Sequence, residues 1–157
     1  METILGVIFC GGRAIRLGGM SKMEIDLGGL SLLERAANHL RPHVKAVALS
    51  VKPDTSLPEN HGLNVIHDMP NDLDNPSVAI ALLSALKYAR DNGFDAILTL
   101  PVDTPFLPSD YASRMIEAIG EMECVCAKHK DRIHGLHSLW KTLAYDKLHQ
   151  SLSLIHI

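Results

Sequence analysis

Three short apolar runs, Ile4 to Cys10, Val44 to Val51 and Asp95 to Leu100, constrain this chain more than any other feature of its sequence. Each is rich in Val, Ile or Leu and too short for a buried helix, so each is expected to be a strand, Ile4 to Cys10 one covered on both faces and Asp95 to Leu100 a buried one. Strands of that kind need helices on both sides, and the intervening segments supply them. Ser31-Leu-Leu-Glu34 is a capping-box pattern that opens a helix from Leu32 to about Leu40, with Pro42 beyond its end. Ser77 is placed to cap a second helix from Val78 to about Arg90, closed by Asn92-Gly93. Ser109-Asp110 opens a third that runs to about Ile119, and the last is expected from Thr142 to about Leu152.

Leu63 to His67, Glu123 to Ala127 and His134 to Trp140 read as further strands, the last two around a Lys130-Asp131 turn. The expected architecture is α/β: a three-layer, doubly wound, mostly parallel sheet with right-handed crossovers. A length of 157 residues suits one such domain with a real core, so one site is expected. In these sheets ligands bind beyond the carboxyl ends of the strands. The loops leaving those ends are Gly11 to Lys22, Asp68 to Ser77 and Pro101 to Pro108, and they are expected to converge on one cleft.

Charge narrows the partner. Fifteen Lys and Arg against eighteen Asp and Glu leave a net charge of -3, so no global basic field points to nucleic acid and any anion site must be local. The local candidate is the first loop, where Gly11, Gly12, Gly18 and Gly19 surround Arg13 and Arg16 and precede Lys22. Its spacing matches neither the Walker A loop nor the dinucleotide fingerprint. Two readings remain: a bare backbone that closes on phosphates with Arg16 and Lys22 neutralising charge, or a glycine turn with solvated arginines.

Asp103, between Pro101 and Pro105, sits on a stiff mount just past a strand. It suits a magnesium ligand, since magnesium needs only one or two carboxylates beside phosphate oxygens and water; its plainer reading is a loop aspartate that accepts backbone N–H groups. Asp68 is likewise just past a strand, in a loop that also holds Asp72 and Asp74. His129, His134 and His137 flank the predicted hairpin without a supporting cysteine pattern, so a metal site there is not expected. Cys10, Cys124 and Cys126 have no framework spacing and are expected to be small buried hydrophobes, in keeping with a cytoplasmic protein. No secretory leader and no apolar stretch long enough to span a bilayer is found, and a monomer is the default.

The loops taken together resemble the molybdenum cofactor guanylyltransferase (MobA-like) family of nucleotidyltransferases. Its opening pattern, L-A-G-G-x-S-x-R-M-G-G-x-D-K, is matched by Phe9-Cys10-Gly11-Gly12-Arg13-Ala14-Ile15-Arg16-Leu17-Gly18-Gly19-Met20-Ser21-Lys22. Leu27 to Leu33 echoes its L-x-G-x-P-L-L turn, Asp68 to Ala79 its D-x-x-P-x-x-G-P-L-A-G segment, and Val102 to Pro108 its C-D-x-P-F-[LI]-P loop. The likeness runs from Gly6 to about Leu152.

That resemblance implies a nucleotide-diphospho-sugar transferase fold and transfer of GMP from GTP to the phosphate of molybdopterin, with pyrophosphate released and Mg²⁺ as cofactor. Phe9, Cys10, Gly11, Gly12, Lys22, Asp68 and Asp103 would hold the nucleotide, Asp103 the metal, and Lys22, Arg16 and Asp103 would carry the chemistry. The alternatives are a sibling that uses CTP or another acceptor, and a nucleotide-binding relative without turnover. Four differences from the family pattern stand out. Phe9-Cys10 replaces Leu-Ala, Ser21 replaces the aspartate before the lysine, and Asn75 to Ala79 lacks both glycines of G-P-L-A-G. The family's N-x-N-x-P-E-[ED]-L segment is not present, so a single domain over residues 1–157 without that C-terminal part is expected.

Overall fold

The structure, a computed structural model, describes residues 3–10, 21–59, 61–70 and 78–154, with 153 and 154 described by backbone only. Six strands form one sheet: Ile4–Phe9 (β1), Ala46–Val51 (β2), Asn64–His67 (β3), Ala96–Pro101 (β4), Cys124–His129 (β5) and Arg132–Lys141 (β6). Their order across the sheet is β3-β2-β1-β4-β6-β5. The first four are mutually parallel, while β6 runs antiparallel to β4 and β5 antiparallel to β6. The helices are Leu32–Leu40 (α1), Val78–Asp91 (α2), Tyr111–Ile119 (α3) and Tyr145–Leu154 (α4).

Alternation along each strand divides the core into two layers. Ile4 and Ile8 of β1, with Leu98 and Leu100 of β4, pack beneath α1 and α3. Leu5, Val7 and Phe9 of β1, with Ile97 of β4, pack beneath α2 and α4. Both central strands therefore turn apolar side chains to both layers, with Thr99 of β4 a buried polar exception. Gly6 lies on the α1 side, where a Cβ would come within 3.1 Å of the Leu40 and Val44 side chains; its bareness lets the helix close onto the strand.

Local chemistry starts α1 as expected. Ser31 Oγ accepts from the Glu34 N–H at 3.1 Å, and Glu34 Oε2 accepts from the Ser31 N–H at 2.8 Å. Accepting that backbone bond is what holds the Glu34 carboxyl below its ordinary range. The chain enters this helix through Gly28 and Gly29, at φ +66° and +87°, inside a turn closed by a 2.9 Å bond from Leu27 N–H to Leu30 O. Two consecutive positive φ values are the reason for the glycine pair.

Several expectations shift. The strand predicted from Val44 begins at Ala46, because Arg41–His43 forms a 3-10 turn with Pro42 in its first positions. Asp110 takes the position before α3 but makes no side-chain cap bond; its carboxylate instead lies 3.9 Å from Arg114. The last helix starts at Tyr145, after a 3-10 turn at Thr142–Ala144. Both hairpin strands extend to the Lys130-Asp131 turn, where Lys130 takes φ +52°.

Of the cysteines, Cys10 and Cys124 are half-buried and Cys126 is exposed. This corrects the reading of Cys126 as a buried small hydrophobe. β5 is the edge strand, and its Val125 and Ala127 are the residues that turn to the core. The proposed cap Ser77 lies outside the described residues.

Where the antiparallel pair joins the parallel strands, the seam is polar and buried. Thr99 and Ser138 are in register, with Oγ atoms 2.8 Å apart, and Trp140 Nε1 donates to Ser138 Oγ at 2.9 Å. The Tyr111 hydroxyl reaches over from α3 to the Thr99 carbonyl at 2.6 Å. Burial raises the pKa of this phenol, so it stays a donor.

Candidate active site

The carboxyl ends of β1, β2, β3 and β4 deliver Cys10, Lys52, Asp68 and the Pro101 to Pro108 loop to one edge of the sheet. Lys22 arrives there on a 3-10 turn, Lys22–Glu24, whose first turn is capped by Ser21: its Oγ accepts from the Met23 N–H at 3.3 Å and its carbonyl from the Glu24 N–H at 3.0 Å. Met23, only 3% exposed, anchors this turn in the core beside α1. Serine and aspartate both serve well as caps of this kind, and Ser21 does so here.

Asp103 comes from the opposite side. Val102 is buried and donates its N–H to the Phe9 carbonyl at 3.1 Å, and the Thr104 hydroxyl donates to the Pro101 carbonyl at 2.8 Å. The loop is thus tied on both sides of Asp103. Its Oδ2 lies 3.0 Å from Lys22 Nζ, across 81 residues of sequence, and both side chains remain about half-exposed. A cation and a carboxylate paired with solvent access on both are open to a charged ligand.

Asp103 alone also fits the needs of magnesium. Among the described residues no group of three or more His, Cys, Asp or Glu is arranged to hold a metal ion, so an ion at Asp103 would complete its shell with water and phosphate oxygens. That division suits a metal that arrives with a polyphosphate.

The other expected residues lie as follows. The Phe9 side chain is buried in the α2 layer and its carbonyl is engaged by Val102. Cys10 donates its N–H to the Ser50 carbonyl at 2.9 Å, and its thiol is pushed up to about 12 by burial and by the nearby Asp103 charge, so it is no nucleophile. Asp68 is held by its N–H to the Val51 carbonyl at 3.0 Å, while its Oδ1 is buried with no hydrogen-bond partner among the described residues. Burial raises the Asp68 pKa, with Lys52 and His67 pulling the other way. Gly11, Gly12 and Arg16 lie outside the described residues, as do Asn75 and Ser77.

Beyond Asp103 opens a cleft of about 690 Å³ between α3, the Pro101 to Pro108 loop and the β5–β6 ribbon. Leu107, Met115 and Ala118 give it an apolar floor, and Arg114 and Lys128 place cations on its lining. Phe106 is 86% exposed beside it. His129, His134 and His137 all line this cleft; His134 and His137 meet edge to face at 5.7 Å. Burial, then His134, lowers the His137 pKa, and Asp103 opposes them.

Lys52 and Thr104 lie at this edge without having been singled out from the sequence, and His137 was weighed there only as a metal ligand. Lys52 carried a usable signal, its place directly after a strand. The meeting of Thr104 with His137 carried none, because sheet register brings them together.

Comparison with known proteins is specific. Residues 6–154 match the family described as the MobA-like NTP transferase domain. A protein named molybdenum cofactor guanylyltransferase from Cereibacter sphaeroides is 35% identical over 146 residues, covering 92% of this chain and 72% of its own. One of the same name from Acidiphilium cryptum is 36% identical over 146 residues, covering 93% and 71%. In structure, the chain is similar to molybdopterin-guanine dinucleotide biosynthesis protein A from Archaeoglobus fulgidus, with a TM-score of 0.69, 20% identity and coverage of 95% and 72%. It is also similar to 2-C-methyl-D-erythritol 4-phosphate cytidylyltransferase from Thermus thermophilus, with a TM-score of 0.66, 15% identity and coverage of 100% and 79%. At those identities the two structures speak to the fold, which is that of the nucleotide-diphospho-sugar transferases.

Proposed function

The chain belongs to the MobA-like NTP transferase family, and on that premise we propose that it transfers GMP from GTP to the phosphate of molybdopterin, releasing pyrophosphate. The observation that carries the reading is the 3.0 Å pairing of Lys22 with Asp103 at the carboxyl edge of the sheet. A nucleotidyl transfer needs a cation and a metal-holding carboxylate at one place, and Lys22 and Asp103, 81 residues apart in sequence, offer such a pair.

An oxygen of the acceptor phosphate attacks the α-phosphorus in line, the bond from that phosphorus to the bridging oxygen breaks, and pyrophosphate leaves with the electron pair. Lys22 balances the charge that builds on the phosphate oxygens. Asp103 would hold Mg²⁺, which when bound supplies Lewis-acid stabilisation of those oxygens. Arg16, in the same glycine-rich segment of sequence as Gly11 and Gly12, would supply a second cation, as the family pattern implies. Asp68, with its buried oxygen unpartnered among the described residues, offers an acceptor to a donor of the nucleoside. The cleft beyond Asp103 suits the acceptor: its apolar floor would take a flat ring system, and Arg114 and Lys128 its charge. No protein nucleophile is needed, since positioning and electrostatics suffice.

The test is to supply Mg²⁺, molybdopterin and each of GTP, CTP, ATP and UTP in turn and to measure pyrophosphate. Turnover confined to GTP is expected. Turnover with CTP instead would move the chain to a sibling activity, and none with any triphosphate would overturn the reading.

A further inference from the structure

The Asp103 side chain has a conspicuous partner in Lys22, yet both groups are about half-exposed, and an exposed ion pair is a weak mount for a carboxylate that must hold its place. The firmer tie is one residue further on. Thr104 Oγ1 lies 2.8 Å from the Pro101 carbonyl and 3.2 Å from His137 Nε2. A hydroxyl has a single proton, and a carbonyl can only accept, so that proton goes to Pro101. The contact with His137 then requires the imidazole to donate from Nε2.

His137 is itself held rigidly. It is 8% exposed, it stands edge-on to the Tyr111 ring with centroids 6.1 Å apart, and it precedes Ser138, the residue locked to Thr99 at the buried seam. We infer that His137 is a positioning residue for the proposed reaction, fixing the Asp103 loop to the sheet by an Nε2–H bond to Thr104. The inference rests on the proposed function for its catalytic consequence, and on geometry alone for the tie.

The path runs from the Thr99–Ser138 seam, through the His137 ring and the Thr104 hydroxyl, to the backbone beside Asp103. A histidine that merely fills space against Tyr111 would be replaced without loss by phenylalanine, which keeps volume and ring edge but has no donor. Glutamine does the reverse, keeping an N–H donor at similar reach but having no ring. His137→Phe, His137→Gln and Thr104→Val therefore separate the two roles.

Two readouts do not depend on turnover. Nitrogen-15 NMR of the histidine side chains in the whole protein is expected to find His137 as the Nε2–H tautomer. Amide hydrogen exchange is expected to run about tenfold faster at Val102 to Thr104 in His137→Phe and in Thr104→Val, with the Leu98 and Leu139 amides unchanged. In the turnover assay, kcat is expected to fall about tenfold in His137→Phe with the KM for GTP moved less than about twofold, and to return to within about threefold of wild type in His137→Gln. The double variant is expected to be no worse than Thr104→Val alone.

An Nδ1–H tautomer, or wild-type exchange rates at Val102 to Thr104 in His137→Phe, would overturn the inference, whatever happened to kcat. Expected exchange and tautomer results with no turnover by the wild-type protein would sink the proposed function and leave the tie standing.

Discussion

β1 is buried along its whole length and β4 as far as Leu100, whereas β5 exposes Cys126, Lys128 and His129 and β6 exposes Arg132 and Ile133. β1 and β4 are covered by helices on both faces, so apolar burial at most positions holds them and few of their side chains are free to reach the site. The antiparallel ribbon is covered mainly by α3 and attached through the polar seam at Thr99 and Ser138. It therefore has side chains free to line the cleft. The lesson is a division of tasks: the buried half presents its loops to the site, and the ribbon presents its own residues.

The sharpest way to test that division is at the point where the two halves meet. Asp103→Asn keeps the shape of the loop and removes the charge, so magnesium-dependent turnover is expected to fall by about a thousandfold while the urea midpoint stays at the wild-type value. An active Asp103→Asn would remove the carboxylate from the mechanism. A second contrast pits one half against the other: Leu98→Ala, at a position with 0% exposure, is expected to cost about 2–5 kcal/mol, and Ile133→Ala, at 68% exposure, under about 0.5 kcal/mol. Equal losses in urea unfolding would mean that the ribbon is as deeply structural as the core.

Thr99→Val, which takes one partner from the Ser138 hydroxyl and one from its backbone N–H while leaving Trp140 Nε1 on that hydroxyl, is expected to destabilise by about 1–3 kcal/mol. Its hydrogen exchange should quicken in β6 before β1; uniform quickening would show that the seam is no separate joint. The smallest effect is at Asp68. Its folded-state pKa is raised by burial, so the favourable protonated form lends stability below the ordinary carboxylate range and that stability is lost as pH rises through the folded value. Asp68→Asn is accordingly expected to be the equal of wild type, or slightly more stable, near about pH 7, and to lose this advantage near about pH 4. A urea midpoint that drops in Asp68→Asn near pH 7 would mean that the carboxylate is a net stabiliser.

The legible parts of the molecule follow from local chemistry. The strands at β1 and β4 were readable because a run without polar alternation can only be buried on both faces, and α1 because Ser31 and Glu34 meet within one turn. Lys22 and Asp103 were readable as separate candidates, each on a loop after a strand. Cys126 was misread because alternation indicates which residues share a face but not whether a helix covers it. Ser21 read as a loss, yet its hydroxyl caps the turn that carries Lys22.

Sequence by itself thus determined the α/β class, the start of α1 and the loops that bear charge, since periodicity and capping act between residues a few positions apart. Only the tertiary structure decided that Lys22 meets Asp103, that Thr99 pairs with Ser138, and that His137 touches Thr104. Those contacts depend on strand order and register, which are set by the packing of whole layers and leave no mark on the short stretches they join.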